Sequence, residues 1–224
     1  MLRPGTADVA NPPPAVYARW RVFESLTIDL GRPRRLGSGD ALVRALGWKR
    51  GVVTVVDATA GLGRDAAALA RVGFRVLAVE RSAAVAALWQ EALPRAPHGL
   101  SFHRGDARDL LRDLAAAGQR PDAVYIDAMY PAGKRKAASQ KALVLLREMV
   151  GDDGDVDALL GVALEIATQR VVVKRARKAP ALRAGVAHSW VCASTRYDLY
   201  LVHSTTGGEG GIRTPDRAFD PITV

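Results

Sequence analysis

The sequence predicts an α/β fold with a largely parallel sheet and helices on both of its faces. Two observations carry this expectation. From about residue 51 to 202, short β-branched runs alternate with alanine- and leucine-rich segments of helical period, the pattern of parallel strands joined by crossover helices. The hydrophobic share of 49% and the charged share of 25% are those of a globular domain with a buried core. A length of 224 residues suits one such domain with short additions. The expected organisation is an N-terminal extension over 1–50, the α/β domain over 51–205 and a tail over 206–224.

Taken in order, strands are expected at VVTVVDA (52–58), RVLAVE (75–80), LSFHRGD (100–106), AVYIDA (123–128) and RVVVKR (170–175). Each is short, rich in β-branched residues and closed by a polar or glycine signal. The segments between them, RDAAALARV, SAAVAALWQEAL, ARDLLRDLAAA, SQKALVLLREMV and DVDALLGVALEIAT, repeat apolar residues at helical spacing. HSWVCAS and RYDLYLV alternate apolar and polar residues, which predicts a C-terminal antiparallel pair. Ahead of the domain, PPP at 12–14 reads as an extended linker and RPRRLGSGD as a basic loop before the helix DALVRALG. The tail follows neither period. A disordered end is one expectation; the other is read-through into a neighbouring tRNA gene, because its Gly-Ile-Arg-Thr stretch can be encoded by the complement of a tRNA T-arm core.

Several classes of function are set aside by composition. No apolar run approaches the roughly 18 residues that span a bilayer, and MLRPGTADVANPPPAVY lacks the apolar stretch of a secretory signal. The expected compartment is the cytoplasm, with no membrane partner. Cys192 is the single cysteine, and His98, His103, His188 and His203 show no metal-ligand spacing, so neither a disulfide nor a metal site is expected. Thirty-two Lys and Arg against 23 Asp and Glu give a net charge of +9. That balance favours a polyanionic partner.

The chemistry-bearing residues gather at predicted strand ends. In VVDATAGLGRDA, Gly61 and Gly63 follow the first strand and open a helix, where glycines let a ligand approach the backbone and helix N–H groups face it. Gly61, Gly63 and Ala66 also satisfy G-x-G-x-x-[GA], so a dinucleotide-binding dehydrogenase is a competing reading, with Glu80 on ribose hydroxyls in either case. Asp57, four residues before Gly61, tilts the choice toward S-adenosylmethionine, because a carboxylate tolerates a sulfonium cation and repels a pyrophosphate. Gly105 and Asp106 close the third strand, where Asp106 can accept from an adenine amine. Arg64 and Asp65 either serve the first turn of the helix or line the cofactor; the two roles stay open at this level.

At the fourth strand end stands YIDAMYP (125–131). It resembles the [DN]-P-P-[FY] motif of methyltransferases that act on exocyclic base amines. In that chemistry a carboxylate accepts the amine hydrogens while an aromatic ring stacks on the base, roles that fall to Asp127 and Tyr130. The span from about 26 to 203 is similar to the ribosomal RNA small subunit methyltransferase J family, through VVDATAGLGRDA, VLAVERSAAVAAL, the turn at 127–131 and RVVVKR. Asp127, Met129, Tyr130 and Pro131 match that family's Asp-Pro-Met-[FY]-Pro motif, with Ala128 in place of its first proline. The resemblance implies a Rossmann-like class I methyltransferase of the seven-stranded type. It also implies methylation of a guanine N2 in 16S rRNA, with Arg64, Asp65, Glu80, Arg81, Asp106 and Asp127 facing the S-adenosylmethionine.

RNA contacts are expected from basic residues beside this crevice: Lys134, Arg135 and Lys136 after the catalytic turn, and Lys174 and Arg175 on the fifth strand. The partner is then 16S rRNA or the 30S subunit, and the oligomeric state is left open. Ala128 and a basic N-terminal loop shorter than the family's are the two departures. The alternatives are a methyltransferase for another RNA or a small molecule, and an RNA-binding assembly protein with a degenerate site.

Overall fold

The computed structural model describes residues 27–127 and 155–202, and from Ile28 onward these belong to one compact unit. The PPP linker, the helix expected over 139–150, the tail over 206–224, and Ala128, Met129, Tyr130, Pro131, Lys134, Arg135 and Lys136 lie outside the described residues.

Seven described strands form one sheet: β1 Thr54–Asp57, β2 Arg75–Glu80, β3 Leu100–Arg104, β4 Ala123–Ile126, β5 Arg170–Ala176, β6 His188–Val191 and β7 Thr195–Leu201. Their spatial order is β3-β2-β1-β4-β5-β7-β6. The first five run parallel, and β7 is antiparallel to both β5 and β6. This is the expected mixed sheet with its C-terminal hairpin. The chain leaves β1 toward β2 on one side and later returns to place β4 on the other. A doubly wound sheet opens a crevice at such a reversal, outside the carboxyl ends of the strands.

The helices are α1 Ala41–Leu46, α2 Arg64–Val72, α3 Ala83–Ala92, α4 Ala107–Ala116 and α5 Val156–Ile166. Side-chain caps set several starts: Asp40 accepts from Leu42 N–H, Ser82 from Val85 N–H and Asp106 from Arg108 N–H. On one sheet face, Val56, Val124, Ile126, Val171 and Val173 pack with Leu110, Leu111 and Leu114 of α4 and Leu159, Leu160 and Ala163 of α5. The strands read as apolar runs because both faces are covered. Among the described residues no helix is long and apolar enough to cross a membrane.

Three of the parallel strands are shorter than their patterns predict, with a side chain accepting or capping near each boundary, and β6 stops at Val191 where HSWVCAS predicts 188–194. The first begins at Thr54 rather than residue 52, since Asp122 Oδ2 accepts from the backbone N–H groups of both Val53 and Thr54 at 2.9 Å. The third ends at Arg104 because Asp106 caps α4. The fourth ends at Ile126, after which the Asp127 N–H donates to Thr59 Oγ1 at 2.7 Å.

Register then decides which side chains meet. Asp57 lies beside Tyr125, Tyr125 beside Val172, and Ile126 beside Val173. Because successive side chains alternate between faces, Asp57, Tyr125, Asp127 and Lys174 fall on one face of the sheet. That face is opposite the one covered by α4 and α5.

Candidate active site

The glycine loop is built from its own backbone and held from behind. Gly61 and Gly63 adopt left-handed φ values of 52° and 71°, and Gly63 N–H donates to Ala60 O, closing the turn into α2. A β-carbon on Gly63 would stand 2.6 Å from Trp89 and 2.9 Å from Leu30. Among the described residues, a β-carbon on Gly61 would meet only the Thr59 carbonyl, at 4.0 Å. Gly63 is thus required by packing. Gly61 instead leaves an open face toward the crevice, which is the space a ligand needs to reach the backbone.

Two side chains fix Gly61. Glu80 Oε2 accepts its N–H at 3.0 Å, and the fully buried Trp89 donates from Nε1 to its carbonyl at 2.8 Å. Trp89 is itself stacked on Phe102, ring centres 4.6 Å apart. Glu80 also takes the Ser82 N–H on Oε1 at 2.7 Å. A carboxylate offers about four acceptor sites, so supporting the loop and receiving ribose hydroxyls are compatible. Trp89 is invisible as a site residue in the sequence, where it reads as one apolar position of a helix. Its ring nitrogen is the signal, since a buried indole N–H needs an acceptor.

The sequence-predicted residues at the next strand ends form an ion network. Asp106 accepts from Arg108 N–H and Nε on Oδ1, at 2.8 and 3.0 Å, and from Nη2 on Oδ2 at 2.6 Å. Arg108 Nη2 also stands 3.0 Å from Asp155, and Arg81 Nη1 donates to both oxygens of Asp155. The Asp106 carboxyl is held below its ordinary range, first by its hydrogen bond with Arg108. Gly105 donates its N–H to Glu80 O, and a β-carbon there would press on His103 Nε2 at 2.7 Å. This edge joins the end of β2, the start of α4 and the start of α5.

The fourth and fifth strand ends bring the charged groups closest together. Lys174 Nζ donates to Asp127 Oδ2 at 2.6 Å and to Asp65 Oδ2 at 3.2 Å. Tyr125, fully buried, donates its hydroxyl to Asp65 Oδ2 at 2.9 Å, and Arg34 Nε donates to Asp65 Oδ1 at 3.3 Å. Asp65 is therefore far more than a first-turn helix residue. Burial opposes its charge, yet Lys174 and Arg34 outweigh that and hold its carboxyl below the usual value. For Lys174, burial also works against the ammonium, and the Asp127 and Asp65 carboxylates more than compensate, raising its pKa. Asp57 sits behind the group with 2% exposure. Burial first, and then the charges of Asp65 and Asp127, push its pKa well up.

Arg64 is exposed at the start of α2. Lys174 and Arg175 do not have the placement expected of phosphate contacts. The Lys174 ammonium is turned into the carboxylate cluster, and Arg175 is buried, its Nε and Nη2 donating to Pro180 O at 3.0 and 2.7 Å. A basic run in sequence does not become a basic surface when it lies on a central strand. Among the described residues no group of three or more His, Cys, Asp or Glu is arranged to hold a metal ion.

Comparison with known proteins gives this arrangement a family. Residues 22–202 match the family described as "Putative SAM-dependent methyltransferase". The ribosomal RNA small subunit methyltransferase J of Chromohalobacter salexigens is 41% identical over 180 residues, covering 75% of this chain and 70% of that one. Its counterpart in Shewanella piezotolerans is 43% identical over 179 residues, covering 74% and 66%. The chain belongs to the ribosomal RNA small subunit methyltransferase J family of SAM-dependent methyltransferases. A solved SAM-dependent methyltransferase from Neisseria gonorrhoeae, 31% identical, superposes with a TM-score of 0.64 over 84% of this chain and 78% of its own. The chain thus spans roughly two thirds to three quarters of its relatives' length.

Membership sharpens the fit of the loop to its cofactor. The open face at Gly61 and the carboxylates of Glu80 and Asp106 at two successive strand ends suit a cationic ligand rather than a pyrophosphate, whereas Asp57, expected to repel a pyrophosphate, is pushed toward its neutral acid by burial. The dinucleotide reading is displaced by the family match.

The two glycines should separate in experiment. Gly61→Ala is expected to fold, at a cost of about 1–2 kcal/mol for its left-handed backbone, while losing S-adenosylmethionine binding in isothermal titration calorimetry. Gly63→Ala is expected to fail earlier, in urea unfolding, because its β-carbon has Trp89 in the way. For Asp57, the folded state favours the protonated acid, so the group supports folding below its ordinary 3.8 and that support is lost as pH rises toward the folded value. Wild-type stability relative to Asp57→Asn should therefore fall from about pH 4 upward, with a slope approaching 1.4 kcal/mol per pH unit. Urea melts of both proteins across pH 4–8 check this, and a flat difference would refute it.

Proposed function

We propose that the protein transfers a methyl group from S-adenosylmethionine to the exocyclic N2 amine of a guanine in 16S rRNA, presented as free RNA or within the 30S subunit in the cytoplasm. The observation that carries this reading is the Asp127 carboxylate. It leaves the end of β4 on the same sheet edge as the glycine loop, its N–H bonded to Thr59 of that loop and its Oδ2 to Lys174. The names of the relatives supply the ribosomal RNA.

A guanine amine is a poor nucleophile because its lone pair is delocalised into the ring. A carboxylate that accepts one of its hydrogens favours a pyramidal nitrogen and aims the lone pair. Asp127 takes that role. S-adenosylmethionine, when bound, supplies the electrophilic methyl group, and Asp57, Gly61, Gly63, Arg64, Asp65, Glu80, Arg81, Gly105 and Asp106 line or support its site. The amine gives up one proton as it gains the methyl group, and the Asp127 carboxylate is the acceptor at hand. Tyr130 stacks on the extruded base with Pro131 fixing the turn, and Lys134, Arg135 and Lys136 meet flanking phosphates, as the family motif and the local charge suggest.

Ala128 alters this scheme only slightly. A proline that presets φ contributes about 0.4–1 kcal/mol where the native angle suits it, well below what a catalytic site draws on. An assembly protein with a degenerate site would not need the glycine loop tied at both ends by Glu80 and Trp89.

The test is methyl transfer from labelled S-adenosylmethionine to 30S subunits lacking the modification, followed by nucleoside analysis. Label in N2-methylguanosine is expected from the wild-type protein, with Asp127→Ala lowering kcat by about 10²–10⁴-fold while cofactor affinity changes little. Label in another nucleoside, or full activity in the variant, would overturn the assignment.

A further inference from the structure

A lysine in a buried strand is costly unless something on the same face compensates its charge. Lys174 follows Val171, Val172 and Val173, all fully buried, and its side chain points to the face that carries Tyr125 and Asp127. Its ammonium is shared between Asp127 Oδ2 at 2.6 Å and Asp65 Oδ2 at 3.2 Å. Asp65 is gripped in turn by the Tyr125 hydroxyl at 2.9 Å and Arg34 at 3.3 Å. Two carboxylates on different elements, the end of β4 and the start of α2, are thus held by one cation on β5.

We infer that Lys174 is a positioning residue for methyl transfer: it fixes the Asp127 carboxylate in place and in its charged form, using Asp65 as the anchor. The inference rests on the catalytic role proposed for Asp127. Geometry explains why a cation is needed there. Asp65 and Asp127 both reach one ammonium, at 3.2 and 2.6 Å, so two like charges share one small space, with Asp57 close behind, and a carboxylate that became protonated would donate to the substrate amine's lone pair instead of accepting its hydrogen. An ammonium at 2.6 Å favours the ionised form strongly. It also fixes the direction of the carboxylate, because Oδ2 is tied to Lys174 while the Asp127 N–H is tied to Thr59. Arg34 extends the same chain of contacts to the basic N-terminal loop.

This role differs from an RNA contact in what its loss would change. A phosphate-binding lysine contributes to KM for RNA and to salt dependence. A positioning lysine contributes to kcat and to the pH profile.

The experiment compares wild type, Lys174→Met and Lys174→Arg in methyl transfer to unmodified 30S subunits between pH 5 and 9. The methionine variant is expected to lose about 10–100-fold in kcat near neutrality, with the acid limb of its profile moved up by about one pH unit or more. The arginine variant should recover most of kcat and restore the limb. An unmoved limb with unchanged kcat overturns the inference, as does a change confined to KM for RNA. A carbon-13 titration of the Asp127 carboxyl in wild type and Lys174→Met supplies a readout without substrate. Its midpoint should rise in the variant, and an unchanged midpoint counts against Lys174 even if the RNA assignment stands. If wild-type protein methylates no 30S subunit while the midpoint does rise, the substrate reading has failed and the lysine's role has not. Should Lys174→Met not fold, Lys174→Gln carries the same two readouts.

Discussion

One ammonium between two carboxylates organises the reactive edge of this protein. Lys174 ties β5 to the end of β4 through Asp127 and to the start of α2 through Asp65. The pair is part-buried, with 23% of the Lys174 and 33% of the Asp127 side chain exposed, so taking the two charges partly out of water offsets much of their attraction. Such a contact is therefore better suited to fixing geometry than to adding net stability. Here it fixes the geometry of two carboxylates at once, on the end of β4 and the start of α2. Asp57, the most deeply buried of the three, is pushed toward its neutral acid by burial and by the charges of Asp65 and Asp127, while Asp65 is held in its charged form by Lys174 and Arg34.

The glycine loop is set by a second, separate mechanism. Glu80 and Trp89 hold Gly61 from its two sides, and Gly63 packs against the indole so closely that no side chain fits. The two glycines of one motif thus do different work. One makes room for the backbone to pack, and the other leaves space beside the loop among the described residues. Thr59 joins the two mechanisms, since it follows Asp57 in the loop and receives the N–H of Asp127. A shift in the loop would move the carboxylate, and the site acts as one unit.

Much of this is legible in the sequence. Alternation of β-branched and helical segments predicts the parallel sheet, and the alternating HSWVCAS and RYDLYLV predict the terminal hairpin. The carboxylates Asp57, Glu80, Asp106 and Asp127 stand out because each lies at the end of an expected strand. What escapes is any property that depends on register. RVVVKR looks basic because two cations stand side by side, yet in a strand they point to opposite faces. Lys174 turns to Asp127 and Asp65, and Arg175 is buried against the Pro180 carbonyl. The clue is the run of three valines: a lysine continuing a strand buried on both faces has to have a carboxylate within reach. Asp65 and Trp89 escape as structural hubs for the same reason, since their partners lie 109 and 28 residues away.

The most direct test of the central claim is a double-mutant cycle between Lys174 and Asp127, with kcat for methyl transfer to unmodified 30S subunits measured for wild type, Lys174→Met, Asp127→Asn and the double variant. If Lys174 acts through Asp127, the double variant should be scarcely slower than Asp127→Asn alone. If the two losses multiply instead, Lys174 works independently of the carboxylate and does not position it.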